Sequence, residues 1–520
     1  MDLKTFKYLI IFLILLLPSQ YLLLASPIFP SHDGLYHIAR IDQFHQSIDL
    51  GQVPPRLAPT ILNGIGYPLF VVNYQLPYYL AEIFMQISNN STLAFKSVLS
   101  VTFLLSGIFA FFLFKNISSN IASLTGALVF SYLPYRFANL YSRASLGEST
   151  AVLFSVMFLF SLHLIIKNKG IGFFLLAIAT FGLVTSHPVI FFIFIPFYFL
   201  YFVFIMKPGI KTIKIIILSV LLGILMSSFQ WMPAVFEKNF LKFDQNLLEL
   251  YKGHFLNIFQ ILRIPGEGVN IGTPFQIGIT SSIIFVFSLA LWIKKRNTDT
   301  TLLISVFLVS IFLIHPSSRL LWENIKPLDY VLYPWRFLSI ALISSAFLSV
   351  HLINKVKHKK LLAIFIIALA IYTSRHYFIK PNQVVHSIPT PTLTTQNEFD
   401  TIWTNNKTYS QRPLIDHSNQ VEIMNVKSNP YRISFDAKLN QDDNLIVRKL
   451  YFPGWNVKVD GKKHSFYQED GLISFNLAPG KRSVDVFFEE SPVRKIANFS
   501  TLTSTLVSLI LVAFRKRIFQ

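Results

Sequence analysis

The 520-residue chain contains no cysteine, which excludes disulfides and thiolate metal sites. Charge is scarce too: 14% of residues are Asp, Glu, Lys or Arg, where a soluble domain carries about 25%. Acids are the rarer sign, 26 against 46 Lys and Arg, giving a formal net charge of +20. Such an excess would suit nucleic acid, but the basic residues sit in short clusters between apolar segments, as the positive-inside rule describes. That distribution argues against a nucleic-acid partner. No internal repeat, low-complexity tract or convincing small-x-small cleavage site is found. What remains is 52% hydrophobic sequence, the composition of a polytopic membrane protein.

Apolar runs of spanning length fall near 6–26, 92–114, 120–140, 149–166, 170–186, 188–206, 213–233, 276–293, 300–316, 333–353, 361–378 and 495–514. They predict about twelve transmembrane helices. The first run follows Lys4 and Lys7 and reads as a retained signal-anchor. One further run, 67–88, is interrupted by Pro68, Asn73, Gln75, Pro77 and Glu82. Loop charge decides its place. If 67–88 does not cross, Lys115, Lys167, Lys169, Lys207, Lys211, Lys214, Lys294–Arg296, Lys355–Lys360 and Arg515–Arg517 all fall on the side of the N-terminus. The run is therefore read as interfacial or re-entrant within a long first external loop, 27–91. Segments 30–51, 141–150, 187, 234–275 and 317–332 then share the outer face. Residues 379–492 alternate apolar with polar in "YRISFDAKL", "WNVKVDG" and "RSVDVFF", with turns at "DGKK" and "EDG". They read as an extracytoplasmic antiparallel β-sandwich. Segment 493–520 adds a final helix and a basic cytoplasmic tail, leaving 1–378 as the transmembrane domain.

Chemistry on the outer face centres on "PSHDGLYHIARIDQFHQSIDLG" (30–51). In a helix, Asp33, His37 and Arg40 are spaced i, i+4, i+7 on one stripe. An acid, an imidazole and a guanidinium at a membrane surface suit a phosphate and a proton. The bland alternative is a capped amphipathic helix in the headgroup layer, started by Ser31 or Asp33. "SRASLGES" (142–149) brackets a small-residue turn with Arg143 and Glu148; a carboxylate there also suits a helix N-terminus. His187 in "TSHPVI" fits either a ligand or a satisfied imidazole at a kink. Arg336 in "VLYPWRFLSI" is an interfacial anchor or a clamp for lipid phosphate. "RIPGEGVNIGTPF" (263–275) offers Arg263 and Glu267 without the strand-to-helix setting of a phosphate loop, and His315, Arg319 and Glu323 lie on the same face. In "YFPGW", Tyr451 and Trp455 offer sugar stacking, with core packing as the alternative.

An apolar first helix, a long first loop opening on an acidic motif and a second acid two spans later resemble the glycosyltransferase C (GT-C) superfamily. More closely, "HDGLYHIARIDQF", "GYPLFVVNYQLPYYL", "YSRASLGES", "YPWRFLSI", "YFPGWNVKVDGK" and "GLISFNLAPGKRSVDVFF" resemble bacterial YfhO-type proteins and the membrane proteins labelled 6-pyruvoyl-tetrahydropterin-synthase-related. No soluble zinc-histidine pterin site accompanies them. The resemblance implies a GT-C-like fold and transfer of a sugar from a polyprenyl-phosphate donor to a glycan or lipid acceptor. It makes Asp33 the principal catalytic carboxylate and Glu148 the second acid, with one or more of Arg40, Arg143 and Arg336 on the donor phosphate; the residues' own placement adds His37 and His187 as substrate- or phosphate-binding candidates. A divalent cation, Mg or Mn, would be held by Asp33 or Glu148, although the chain has no Asp-x-Asp and no second acid beside Asp33. The expectation is a membrane glycosyltransferase of a bacterial or archaeal plasma membrane with both termini cytoplasmic. A transporter or assembly protein with a glycan-binding β-domain is the alternative, for which mid-span charges would speak.

Overall fold

A computed structural model describes residues 1–25, 28–262, 275–377, 397–417 and 421–513. The "RIPGEGVNIGTP" stretch with Arg263 and Glu267, the start of the expected β-domain and the basic tail Arg515–Arg517 lie outside these residues.

Proline and polar breaks leave fewer helices of spanning length than there are apolar runs. Among the described residues, seven helices are long and apolar enough to cross a membrane: Leu3–Gln20, Ser91–Ile117, Leu146–Ile166, Pro188–Met206, Pro334–Lys355, Lys359–Tyr377 and Pro492–Ala513. Two bent pairs, Ile210–Met226 with Ser228–Phe240 (68°) and Thr298–Ile314 with Pro316–Asn324 (88°), raise the number to nine if each is one span. The expected twelve is not confirmed by helix length and composition. Run 120–140 gives only the 13-residue helix Asn120–Tyr132, because Pro134 forces Leu133 into an extended conformation. Runs 170–186 and 276–293 give helices of 16 and 17 residues, Ile171–Ser186 and Gly278–Lys294. Segment 67–88 folds as a turn, Leu69–Val72, and the helix Leu76–Ser88, whose 13 residues rise only about 20 Å.

Pro334–Lys355 forms the centre of the bundle, with 89% of its apolar window buried, whereas Pro492–Ala513 lies outermost with 17%. At one end of the bundle Lys4, Lys115 and Lys360 line a common hollow, and Lys167 donates to Asn116.

The C-terminal strands are β1 (Ile415–Asp416), β2 (Val421–Asn429), β3 (Arg432–Leu439), β4 (Asp443–Leu450), β5 (Trp455–Val459), β6 (Lys462–His464), β7 (Tyr467–Glu469), β8 (Leu472–Leu477) and β9 (Gly480–Phe488). They make two antiparallel sheets, ordered β1-β4-β8-β7 and β2-β3-β9-β5-β6. Alternation puts Ile433, Phe435, Val447, Phe475 and Val486 into one hydrophobic cluster fed by both sheets. Trp455 belongs to that cluster, so it packs the core and is not offered to a sugar. The Asp460-Gly461 and Asp470-Gly471 pairs have positive φ at both positions (50° and 79°, 51° and 78°), the geometry of tight hairpin turns.

Buried ions dock these sheets onto the bundle. Arg56 donates to Glu490 (2.9 Å), Asn498 (3.0 Å) and the Phe229 carbonyl (2.8 Å). Arg494 donates to Glu237 (2.9 Å), and Lys449 to the Gly64 carbonyl (2.6 Å). The segment leading into the sheets is stitched down by the Tyr67 and Tyr409 hydroxyls on Asp400, at 2.9 and 2.7 Å. That stitching places Glu398 and Phe399 over the end of the bundle where the first loop folds.

Candidate active site

Asp33 occupies the N-cap position of the helix Gly34–Asp49, yet its side chain makes no capping bond. The backbone fixes it instead: His32 and Asp33 amides donate to the Ser142 and Arg143 carbonyls at 3.0 and 2.9 Å. A side chain at Gly34 would displace the Ser31 hydroxyl and lie in contact with Ala144 Cβ at 3.5 Å. The freed carboxylate is 34% exposed, and its Oδ2 lies 3.4 Å from Arg143 Nη2.

The sequence "PYRFANLYSRASLGES" builds the facing wall. Pro134 restarts a helical turn after Leu133, and a π-helical turn over Ala138–Ser142 follows. Such turns recur at functional sites. Ala144 then adopts φ +53°, uncommon for a residue with a side chain, and Leu332 does so at +65° on the other flank of the site. The result aims Tyr135, Asn139 and Arg143 at Glu148, in the first turn of Leu146–Ile166. Glu148 is fully buried. Its Oε1 accepts from the Tyr135 hydroxyl (2.5 Å) and Asn139 Nδ2 (3.0 Å), and its Oε2 from Arg143 Nη1 (2.6 Å). Arg336 Nε stands 3.8 Å from the same oxygen. A side chain at Gly147 would strike Tyr74 and meet the Ser186 carbonyl at 2.8 Å, so glycine lets this helix start lie against its neighbours.

Arg143 is thus held between two carboxylates and over the face of Trp335 at 4.6 Å. Its protonated form is favoured: burial opposes the charge, but Glu148 and Asp33 outweigh it. Trp335 stacks on Phe275 (3.9 Å) and Tyr333 (4.8 Å), and Tyr333 also receives Arg336 at 4.9 Å. Arg336 Nη1 donates to the Val331 carbonyl at 2.6 Å, fixing its fork. Arg40 lies 4.0 Å from Glu398 and 5.7 Å from the Phe399 ring. His187 caps Pro188–Leu200 and accepts from the Ile190 amide through Nδ1 (3.3 Å). His37 is buried with Nδ1 3.1 Å from the Tyr78 hydroxyl, between Tyr74 and Phe95.

Burial, aided by the Arg40 and Arg143 charges, holds the His37 imidazole well below its ordinary pKa, so it stays neutral in the fold. The unfolded chain binds a proton below about pH 6.5 that the folded chain refuses. Acidification from pH 7 to 5 should therefore lower the unfolding temperature, with a contribution of up to about 1.4 kcal/mol per pH unit. His37→Gln should flatten that slope in thermal melts; an unchanged slope would assign the acid sensitivity to other groups.

These side chains surround a cavity of about 1080 Å³. Asp33, His37, Arg40, Arg143, His187 and Arg336 line it, as does His32, whereas Glu148 does not. The lining also includes the apolar side chains Val189, Phe192, Ala234, Val235 and Leu247. The structure brings in residues the sequence did not single out: Glu398 and Phe399 from the segment before β1, and Tyr74, Tyr78, Tyr135 and Asn139. Tyr135 and Asn139 stand i, i+4 in the stretch just before "SRASLGES", which would have revealed them. His315, Arg319 and Glu323 are outside the cavity lining; His315 bonds to Ser317, and Arg319 pairs with Glu323 at 2.7 Å near the surface.

Residues 72–379 match the profile of a family described as "6-pyruvoyl-tetrahydropterin synthase related domain; membrane protein". An uncharacterized protein of Lactococcus lactis subsp. cremoris is 27% identical over 242 residues, 44% of this chain and 39% of that one. Among solved structures, the Archaeoglobus fulgidus oligosaccharyltransferase in complex with Zn and sulfate aligns at TM-score 0.41 and 13% identity, over 71% of this chain and 52% of that one. The same enzyme tethered to an acceptor peptide aligns at TM-score 0.41 and 12% identity, over 74% and 60%. The chain therefore spans less than two thirds of each of these proteins.

Proposed function

The chain belongs to the 6-pyruvoyl-tetrahydropterin-synthase-related membrane-protein family, and from that premise we propose that it is a membrane glycosyltransferase of the GT-C kind. It takes a sugar from a polyprenyl-phosphate donor and passes it to a glycan or lipid acceptor. The observation that carries this reading is the mixed lining of one cavity. Asp33, Arg143, Arg336 and Arg40 share it with Val189, Phe192, Val235 and Leu247, apolar side chains suited to a prenyl chain. Guanidinium forks are matched to phosphate oxygens. In the reaction the acceptor hydroxyl oxygen bonds to the anomeric carbon as the carbon–oxygen bond to phosphate breaks. Asp33 takes the hydroxyl proton, and the arginines stabilise the departing phosphate. Glu148, shut away from the cavity, positions Arg143 and Arg336.

Glu398 and Phe399, from the segment leading into the β-sheets, line the cavity, and the Lys4–Lys115–Lys360 hollow is the bundle end read as cytoplasmic. Transfer is accordingly assigned to the extracytoplasmic face. Protein in nanodiscs given a panel of polyprenyl-phosphate sugars should release polyprenyl phosphate, detected by mass spectrometry. Passage of an intact lipid-linked sugar across the bilayer without release would support a transporter instead.

A further inference from the structure

We infer that Arg143 fills the position a divalent cation would need, so that guanidinium groups alone carry the charge opposite the leaving phosphate. This rests on the glycosyl-transfer reading for the identity of the anion, though the filling of the site stands on geometry. The carboxylates from which a cation would be held are Asp33 and Glu148. Arg143 bridges them, Nη1 to Glu148 at 2.6 Å and Nη2 to Asp33 at 3.4 Å.

The donor set agrees with this misfit. A carboxylate has about four lone-pair directions; Glu148 uses three of them to accept from Tyr135, Asn139 and Arg143, and Arg336 Nε stands 3.8 Å from its Oε2. A Mg ion asks for near-octahedral oxygen ligands at about 2.0–2.1 Å. A cation on Glu148 Oε2 would stand beside two guanidiniums, Arg143 at 2.6 Å and Arg336 at 3.8 Å from that oxygen. Among the described residues, no group of three or more His, Asp and Glu could hold a metal.

Charge balance points the same way. Asp33 and Glu148 offset Arg143 and Arg336, so the cluster is neutral before donor arrives. A divalent cation would add two buried charges with no anion to meet them. The guanidiniums are also held in place, Arg143 by Asn139 (3.0 Å) and the Trp335 face, Arg336 by the Val331 carbonyl. Such preorganised charge is what a developing phosphate anion requires.

Two measurements on the full chain in nanodiscs test this. Free Mn²⁺ is followed by electron paramagnetic resonance as Mn²⁺ is titrated into wild type and Asp33→Asn. Equal free Mn²⁺ in both supports the inference; ions retained by wild type and lost in Asp33→Asn would overturn it. Undecaprenyl phosphate is then the thermal-shift probe, with chelator or with Mn²⁺. The expected result is the same stabilisation in both, and roughly ten- to hundredfold weaker binding in Arg143→Lys, which cannot bridge with one ammonium. Stabilisation only with Mn²⁺ would overturn the inference while keeping the polyprenyl-phosphate reading. No stabilisation in either, with Mn²⁺ unbound, would sink that reading and leave the filled site standing.

Discussion

Asp33→Asn should abolish sugar transfer, by a factor of about 10² to 10⁴, and leave the protein folded. The asymmetry follows from how the residue is held. Its position comes from backbone bonds to Ser142 and Arg143, which asparagine keeps, while its carboxylate makes one long contact to Arg143 at 3.4 Å. Asparagine is the same size but cannot take a proton from an acceptor hydroxyl. Release of polyprenyl phosphate from a lipid-linked sugar, measured beside a melting curve, checks both halves. Near-normal release would remove Asp33 from the mechanism.

Glu148→Gln should fail the other way, with a loss of about 3–5 kcal/mol in stability, because removing one partner of a buried ion pair leaves charge uncompensated. Here Arg143 and Arg336 lose the carboxylate they share, with Asp33 left to Arg143 alone, and an amide that replaced the carboxylate would point a donor at one set of donors. The sheath of Tyr135, Asn139 and Arg143 closes on Glu148 with no opening to the cavity. Denaturation of purified protein is the direct reading. A Glu148→Gln protein as stable as wild type but inactive would give Glu148 a chemical role in place of a positioning one.

Local patterns in the sequence carried much of this arrangement. Asp33, His37 and Arg40 follow from helical spacing, and the Asp-Gly turns from backbone preference, since φ > 0 selects those residues. Other features depend on distant partners. How closely the start of Leu146–Ile166 lies against its neighbours is set by Tyr74 and Ser186 crowding Gly147, contacts made across long stretches of chain on either side. Glu398 reaches the site because Asp400 is tied to Tyr67, a residue of the first loop far away in the chain. Apolar runs outnumber the helices of spanning length because a run records solubility in lipid, whereas a long helix needs an unbroken backbone: Leu133 is extended before Pro134. Sharing a side of the membrane does not imply sharing a site, as the surface pair Arg319–Glu323 illustrates.

The most direct test of the central claim is an electron cryomicroscopy map of the protein in nanodiscs with undecaprenyl phosphate. The expected map places phosphate density within hydrogen-bond reach of Arg143, Arg336 or Arg40 and beside Asp33, with the prenyl chain running past Val189, Phe192 and Val235. A lipid phosphate seated elsewhere, with this cavity holding only solvent, would contradict the account.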